Sequence, residues 1–409
     1  MTATAQLMPV AEAQARLLRL VAPRTTGEEL VPLALGLGRV LARSVTAGWP
    51  LPGCDNSAMD GYAVLAAGCV AATPVFPVRL PIRGDARAGA PIATLASGTA
   101  MAVATGGAIP RGADAVVPVE DTRVAEDGAV LVLQAPRPGA HVRRAGEDAG
   151  AGTEMVPAGR RLRAVDIAAC ASAGAASVWV HRRPAVALLS GGDELVPVGV
   201  PPEPHQVTDS NAAMLAAAVV EAGGRVVDLG RAHDSSEAVR ERLRAAAGCD
   251  LVVSSSGVSV GQHDHIHEVV AELGRVEAWR LAMRPGKPLL IGEVGGIPML
   301  GLPGNPASAA VTFELFARPA LLTLQGASQP HRRRIAVRVG ETVETPRALE
   351  TYLRVRLSEA GDGIPVATLS GGQSSSMLRS LSGADGLMVV PAGVDRVEEG
   401  ELLTALEMS

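Results

Sequence analysis

The chain has almost no lysine. Of its 37 basic residues all but Lys287 are arginine, and that exception lies in the run Arg284-Pro285-Gly286-Lys287-Pro288. Arginine's planar fork cannot replace a compact ammonium with three freely turning donors. A lysine kept in a Gly/Pro-punctuated loop, where side chains are often aimed at a ligand, is therefore a candidate binding group. Aromatic residues are scarce as well: three Trp, two Tyr and three Phe in 409 residues, with a formal charge of -5. That composition lacks the basic field and the stacking platforms of general nucleic-acid binding, so nucleic acid is not an expected partner. The four cysteines, Cys54, Cys69, Cys170 and Cys249, form no CxxC pair. This argues against a thiolate metal site or a disulfide framework and fits a reducing cytoplasm. The opening MTATAQLMPVAEAQARLLRL has no charged leader before an apolar core. No uninterrupted apolar run reaches the roughly eighteen residues of a membrane span, so a soluble, untargeted chain is expected. GxxxxGK[ST] and GxGxxG are both missing, which disfavours a P-loop NTPase and a Rossmann dehydrogenase.

What is present is a long chain with 47% hydrophobic residues, enough for two to four cores. Apolar residues at helical spacing predict an amphipathic helix over 5–22. From 46 to 140 short apolar runs at 73–80, 99–104 and 129–133 alternate with Gly, Pro and Asp clusters, the texture of a small β domain. Residues 141–180 carry an Arg/Gly-rich loop and a helix over 164–173. They return the chain to its opening segment, which makes the β domain an insertion. From 181 the pattern is regular: strands at 185–189, 226–229, 251–254, 289–291 and 299–302, and helices at 211–222, 236–247, 265–273 and 307–324. Alternating strands and helices specify a doubly wound, mostly parallel sheet with helices on both faces. Asp209/Ser210 and Asp234/Ser235 are the expected caps. After a linker at 326–333 the texture is again β. The expected fold is α/β multidomain: a linking domain from 1–45 plus 141–180, an inserted β domain at 46–140, a doubly wound domain at 181–326 and a β-barrel-like domain at 327–409.

In a doubly wound sheet, ligands bind beyond the carboxyl ends of the strands. The loops there are Ser190-Gly191-Gly192-Asp193-Glu194, Ser254-Ser255-Ser256-Gly257-Val258-Ser259-Val260-Gly261 with Asp264, and Gly301-Leu302-Pro303-Gly304-Asn305-Pro306-Ala307-Ser308. Gly/Ser loops opening onto helix N-termini present N–H groups and hydroxyls to an oxyanion such as phosphate. Any one of them reads equally well as a geometric turn; three together with Arg284 and Lys287 point to an anion. Asp193, Glu194 and Asp264 beside such an anion suit a hard cation such as Mg²⁺, although each also suits a cap or a solvated charge. The run His263-Asp264-His265-Ile266-His267 has no second ligand pair at zinc spacing and reads as a polar helix start.

These loops, together with Leu51-Pro-Gly-Cys-Asp55-Asn56-Ser57-Ala58-Met59-Asp60-Gly61-Tyr62-Ala63-Val64, resemble the molybdopterin molybdenumtransferase family, which includes the C-terminal domain of gephyrin. Thr105-Gly106-Gly107, Ala113-Asp114-Ala115-Val116-Val117, GGDEL, SSSGVSVG, RPGKP and GLPGNPAS follow in that family's order along essentially the whole chain. The resemblance implies insertion of molybdate into adenylylated molybdopterin, with hydrolysis of the adenylate in the presence of a divalent cation. It implies that Arg284, Lys287 and Ser308 hold molybdate, and that Glu194, Asp234 and Asp264 supply active-site acids. It also implies that Asp60 and Thr105 act from the β domain onto the partner subunit of a homodimer. Ser190, Gly191, Gly192, Ser256, Gly257, Ser259, Gly261, Arg280, Pro303, Asn305 and Arg354 complete the implied pterin-phosphate and oxyanion contacts. Arg280 and Arg284 stand where many members have lysine, and Ser256 replaces a common glycine. Of an expected arginine pair near Tyr352 only Arg354 is evident, with Leu349 at the other place. Ser374-Ser375-Ser376 aligns loosely with a serine of the family, and His267 stands at a frequently basic position. Contacts with a molybdopterin adenylyltransferase and with client molybdoenzymes are implied partners. Two other readings remain open: adenylate transfer to molybdopterin, and a carrier or scaffold without turnover. Molybdate and tungstate are not distinguished.

Overall fold

The structure is a computed structural model and describes residues 7–256, 258 and 265–408. Gly257, Ser259, Gly261, His263 and Asp264 lie outside the described residues. The central sheet has six strands in the order Arg225–Ala232, Ala185–Gly191, Leu251–Ser255, Ile297–Leu302, Leu290–Val294, Gly274–Trp279. The first four run parallel, Leu290–Val294 runs against them, and Gly274–Trp279, antiparallel to its neighbour, returns to the direction of the first four. Alternate residues of each strand feed two cores, as the period of two requires. Val186, Leu188, Val253 and Leu300 pack with the helix Ser210–Glu221 and the run Pro306–Leu324. Ala187, Leu189, Val252 and Met299 pack with the helices Ser236–Arg244 and Ile266–Leu273. Asp209 and Ser235 cap two of these helices by accepting the N–H groups of Ala212 and Ala238 at 3.0 and 3.2 Å. The strand Gly274–Trp279 is not anticipated by the sequence pattern. It follows its helix directly, its first residue Gly274 being the helix C-cap, and it exposes Arg275, so charge hides its alternation.

The run Pro306–Leu324 is the most enclosed part of the domain. By length and apolar composition it could cross a membrane, but 83% of it is buried inside the fold. It winds as Pro306–Thr312, a wide π turn over Phe313–Ala317, and Arg318–Leu324. The opening helix, expected over 5–22, is described as Val10–Val21 and buries Ala13, Leu17 and Val21 in the same core as Phe316 and Leu321. The strand Glu28–Pro32 then pairs antiparallel with Ser177–His181.

The β domain is a sheet ordered Ala115–Pro118, Gly61–Val64, Ala100–Val103, Val78–Ala86, Ala129–Val132, Thr122–Val124. The chain enters and leaves it through paired strands, Val45–Thr46 with Glu154–Val156 and Asn56–Ser57 with Val142–Arg143. At the other end of the chain, Glu350–Ser358, Val366–Leu369, Arg334–Val339, Leu402–Glu407 and Gly386–Val390 are neighbours in that order. Pairing of the first with the last closes a five-stranded barrel. A two-residue strand from the sheet domain, Met283–Arg284, pairs parallel with Glu350 and Thr351 on its rim. Tyr352, Leu387, Val389 and Leu406 of the barrel reach into the core around Pro306–Leu324, so the two domains share apolar contacts.

The helix Ala164–Ser172 begins with a capping box in which the Asp166 carboxylate accepts the Arg163 N–H at 2.8 Å. The Arg163 side chain first, then that N–H and Arg160, hold the Asp166 carboxyl down at about 2 against the opposing effect of burial. A carboxyl lowered on folding stabilises the native state above its unfolded value near pH 4 and loses that contribution as pH falls toward 2. Asp166→Asn is therefore expected to be less stable than the parent at pH 7, with the gap closing between about pH 4 and pH 2. Urea denaturation as a function of pH measures it.

Candidate active site

At the carboxyl ends of the parallel strands a cleft of about 560 Å³ opens, a volume suited to a small-molecule ligand. Its walls come from the loop after Ala185–Gly191 (Gly191, Glu194, Leu195) and from residues 207–211. The end of Leu251–Ser255 adds Ser255, Ser256 and Val258, and the loop 303–306 and Pro288 complete the sheet-domain side. The last contributor, Ser376, belongs to the barrel. Of the residues singled out in the sequence, Gly191, Glu194, Ser256, Pro303 and Asn305 line the cleft.

The loop after the first strand is shaped by Gly192. Its φ is +130°, and a Cβ there would stand 2.5 Å from the Glu194 carboxylate, so only glycine lets that carboxylate fold back over the turn. Glu194 has no ion-pair partner among the described residues. Asp193 turns away from it: its carboxylate meets His233 Nδ1 at 2.8 Å, and its N–H donates to Asp234 Oδ2 at 3.4 Å. The His233 contact, more than any other, keeps the Asp193 carboxyl below its ordinary value. The sequence offered His233 no role; its pairing with Asp193 depends on two strand ends meeting. Ser190 is buried at the strand end. Ser256 has φ +79°, which is why a glycine would be at ease there.

The loop 284–288 is pressed against the start of the long helical run. Gly286 has φ +103°, and a Cβ would come within 2.5 Å of Thr312 Cγ2. Thr312 Oγ1 in turn donates to the Ser308 carbonyl at 2.7 Å. Arg284 and Lys287 are exposed on this loop, and Ser308 is buried in the first turn of the helix. Neither cation lines the cleft itself, although the neighbouring Pro288 does. Arg280 holds φ +69° just upstream.

The barrel's part was the least legible. Arg354 is fully buried and donates to Ser380 Oγ at 2.8 Å and to the carbonyls of Gly372 and Ser374 at 3.0 and 3.1 Å. Burial, and then Arg284, lower its affinity for the proton. The loop it holds carries Ser375, whose hydroxyl accepts from Asn305 Nδ2 at 2.9 Å and whose carbonyl accepts the Ala307 N–H at 3.0 Å. The loosely aligned serines thus dock on the helix N-terminus, and Arg354 supports them from behind. On the β domain, Asp60 Oδ1 accepts from the Thr105 N–H at 2.7 Å and from its hydroxyl at 3.0 Å, which holds the carboxyl below its ordinary value. Both residues are exposed, and neither lines the cleft.

Among the described residues, no group of three or more His, Cys, Asp or Glu side chains is arranged to hold a metal. Of the three acids expected at a cation, Asp193 is engaged by His233 and Asp264 lies outside the described residues. Glu194, with Asp234 beside the neighbouring loop, is the carboxylate set that remains. It fits a hard cation that takes most of its oxygens from phosphate and water.

Gly192→Ala is expected to displace the Glu194 carboxylate and to cost about 1–3 kcal/mol from strain at this φ. Chemical denaturation checks the cost, and an unchanged circular dichroism spectrum would show that the fold survives.

The sequence matches three family models in register: MoeA N-terminal region (domain I and II) at 8–174, probable molybdopterin binding domain at 187–323, and MoeA C-terminal region (domain IV) at 336–407. A protein of Mycobacterium tuberculosis named molybdopterin molybdenumtransferase 2 is 38% identical over 388 residues, covering 93% of this chain and 95% of its own length. The Bacillus subtilis molybdopterin molybdenumtransferase is 32% identical, covering 92% and 89%. A solved molybdopterin biosynthesis MoeA protein from Pyrococcus horikoshii superposes with a TM-score of 0.84 at 25% identity, covering 98% of this chain and 100% of its own.

Proposed function

The chain belongs to the MoeA family of molybdopterin molybdenumtransferases, enzymes of molybdenum cofactor synthesis, and from that premise we propose how its own residues serve the reaction. The substrates are adenylylated molybdopterin and molybdate. Water adds across the phosphoanhydride, AMP and the pterin phosphate separate, and molybdenum passes to the dithiolene.

The observation that carries the reading is the meeting of three Gly/Ser loops and a barrel serine around one cleft of ligand size. Gly191, Gly192, Ser190 and Ser256 turn backbone and hydroxyl donors to the substrate's phosphates, together with Gly257, Ser259 and Gly261 of the same loop. Pro303 and Asn305 form the opposite wall. Molybdate sits between the loop 284–288 and the helix that carries Ser308. There Lys287 and Arg284 supply cations for a tetrahedral dianion, and Arg280 and the buried Arg354 add positive charge behind them. Contact between Gly286 and Thr312, one turn beyond Ser308, supports that arrangement. Glu194, Asp234 and Asp264 are the acids that orient the attacking water. A Mg²⁺ ion held by Glu194 and Asp234 together with the substrate's phosphates would neutralise charge developing on the leaving phosphate.

Asp60 and Thr105 act from the β domain toward the cleft of a second subunit. A homodimer is supported by an exposed apolar face: Leu30 and Trp179, direct partners across two strands, are 54% and 37% exposed, and Leu35 and Leu37 nearby are 65% and 63% exposed. Such a patch is characteristic of an interaction surface. Four free thiols agree with a cytoplasmic location. Transient hand-over from a molybdopterin adenylyltransferase and to client enzymes follows from the substrate and the product.

Purified protein incubated with adenylylated molybdopterin, molybdate and Mg²⁺ is expected to release AMP and to reactivate a molybdenum-free enzyme. Lys287→Ala should lower molybdate-dependent AMP release at least tenfold while the pterin still binds. Binding without AMP release at any molybdate concentration would make the protein a carrier instead. A mass measurement in solution should give a dimer; a monomer would remove the cross-subunit role of Asp60 and Thr105.

A further inference from the structure

Five buried side-chain polar atoms have no hydrogen-bond partner among the described residues: Arg39 Nε, Asn56 Oδ1, Asn211 Oδ1, Ser254 Oγ and Arg354 Nη1. Of the residues that own them, Asn211 lines the cleft. Its side chain is fixed in one sense. The Nδ2 group donates to the Gly304 carbonyl at 2.7 Å, and a carbonyl can only accept, so the amide cannot be flipped. The other end, Oδ1, is then an acceptor in a residue only 7% exposed, left without a donor. An orphaned buried acceptor is destabilising, and a folded protein keeps one where something else completes it.

The position is well held. Asn211 is the second residue of the helix Ser210–Glu221, two residues after the Asp209 cap, and its buried neighbours Leu215 and Val219 root that helix in the core. Its donor end clasps the loop that also carries Asn305 and leads to Ser308. Asn211 therefore joins two walls of the cleft and keeps one acceptor in reserve.

We propose that Asn211 is a ligand-selecting residue of this cleft, its Oδ1 accepting an N–H from the edge of a nitrogen heterocycle of the substrate. This rests on the functional reading above and adds a residue to it. A neutral carboxamide oxygen selects a neutral N–H donor and has nothing to offer an oxyanion, so Asn211 discriminates the heterocyclic part of the substrate from molybdate and phosphate. Both the pterin and the adenine carry such N–H edges, and the shared chemistry is a ring or exocyclic N–H.

The test measures dissociation constants of molybdopterin, AMP, adenylylated molybdopterin and molybdate for the parent protein, Asn211→Leu and Asn211→Ala, with the thermal midpoint of each. Loss of one hydrogen bond in a buried site is read as about tenfold weaker binding. The expected result is that loss for adenylylated molybdopterin and for one of its two halves, which identifies the heterocycle, with molybdate affinity unchanged. Equal weakening of every ligand, molybdate included, would mean that Asn211 only holds the Gly304 loop, and unchanged affinities would mean that water alone completes Oδ1; either overturns the proposal. If the parent itself failed to bind adenylylated molybdopterin, the functional reading would fall rather than the role of Asn211. Should Asn211→Leu not fold, Asn211→Ala, which adds no bulk, carries the same comparison.

Discussion

The burial of the run Pro306–Leu324 is the constraint on which the rest of the structure depends. One end of it is an active-site wall; its body is the common core of the opening helix, one face of the sheet and the barrel. An apolar helix enclosed on all sides has no freedom to slide, because interiors are packed as densely as organic crystals and every register shift opens voids. Three consequences follow. Ser308 is held, buried, in the first turn of the helix behind the cleft-lining loop 303–306. The loop 284–288 is pinned against Thr312. The barrel, sharing apolar contacts with the same run, is held where its serine loop meets Asn305.

The chemistry divides along the same lines. In the proposed site, the donors assigned to phosphate come from loops whose glycines permit turns that other residues make only with strain, as at Gly192. Positive charge is concentrated on the loop that joins the sheet to the barrel, with Arg284 on a strand shared by both domains. Acids are kept to the opposite side, at the ends of the first two strands, where His233 draws Asp193 aside and leaves Glu194 facing the cleft.

Much of this was legible in the sequence. The doubly wound pattern, the caps at Asp209 and Ser235 and the Gly/Ser loops are local signals, set by residues a few positions apart. Those local signals also carried the family resemblance. Less visible were the strand Gly274–Trp279, whose charges mask its alternation, and the engagement of Asp193 by His233. The part played by Ser374 to Ser376 was fainter still, since a serine run in a barrel loop has no local signature of what it will touch.

Composition and local pattern by themselves determined the architecture and the strand ends at which the cleft opens, and they singled out Lys287 as a candidate binding group. Those are properties of periodicity and of residue chemistry over short spans. Tertiary structure alone decided that Arg354 is a buried support rather than a surface cation, that Asn211 retains an acceptor with no partner among the described residues, and that Asp60 and Thr105 do not line the cleft. Each of these depends on contacts between residues tens to hundreds of positions apart, where the cost of burying a charge or an unpaired polar atom is set by neighbours that no local pattern names.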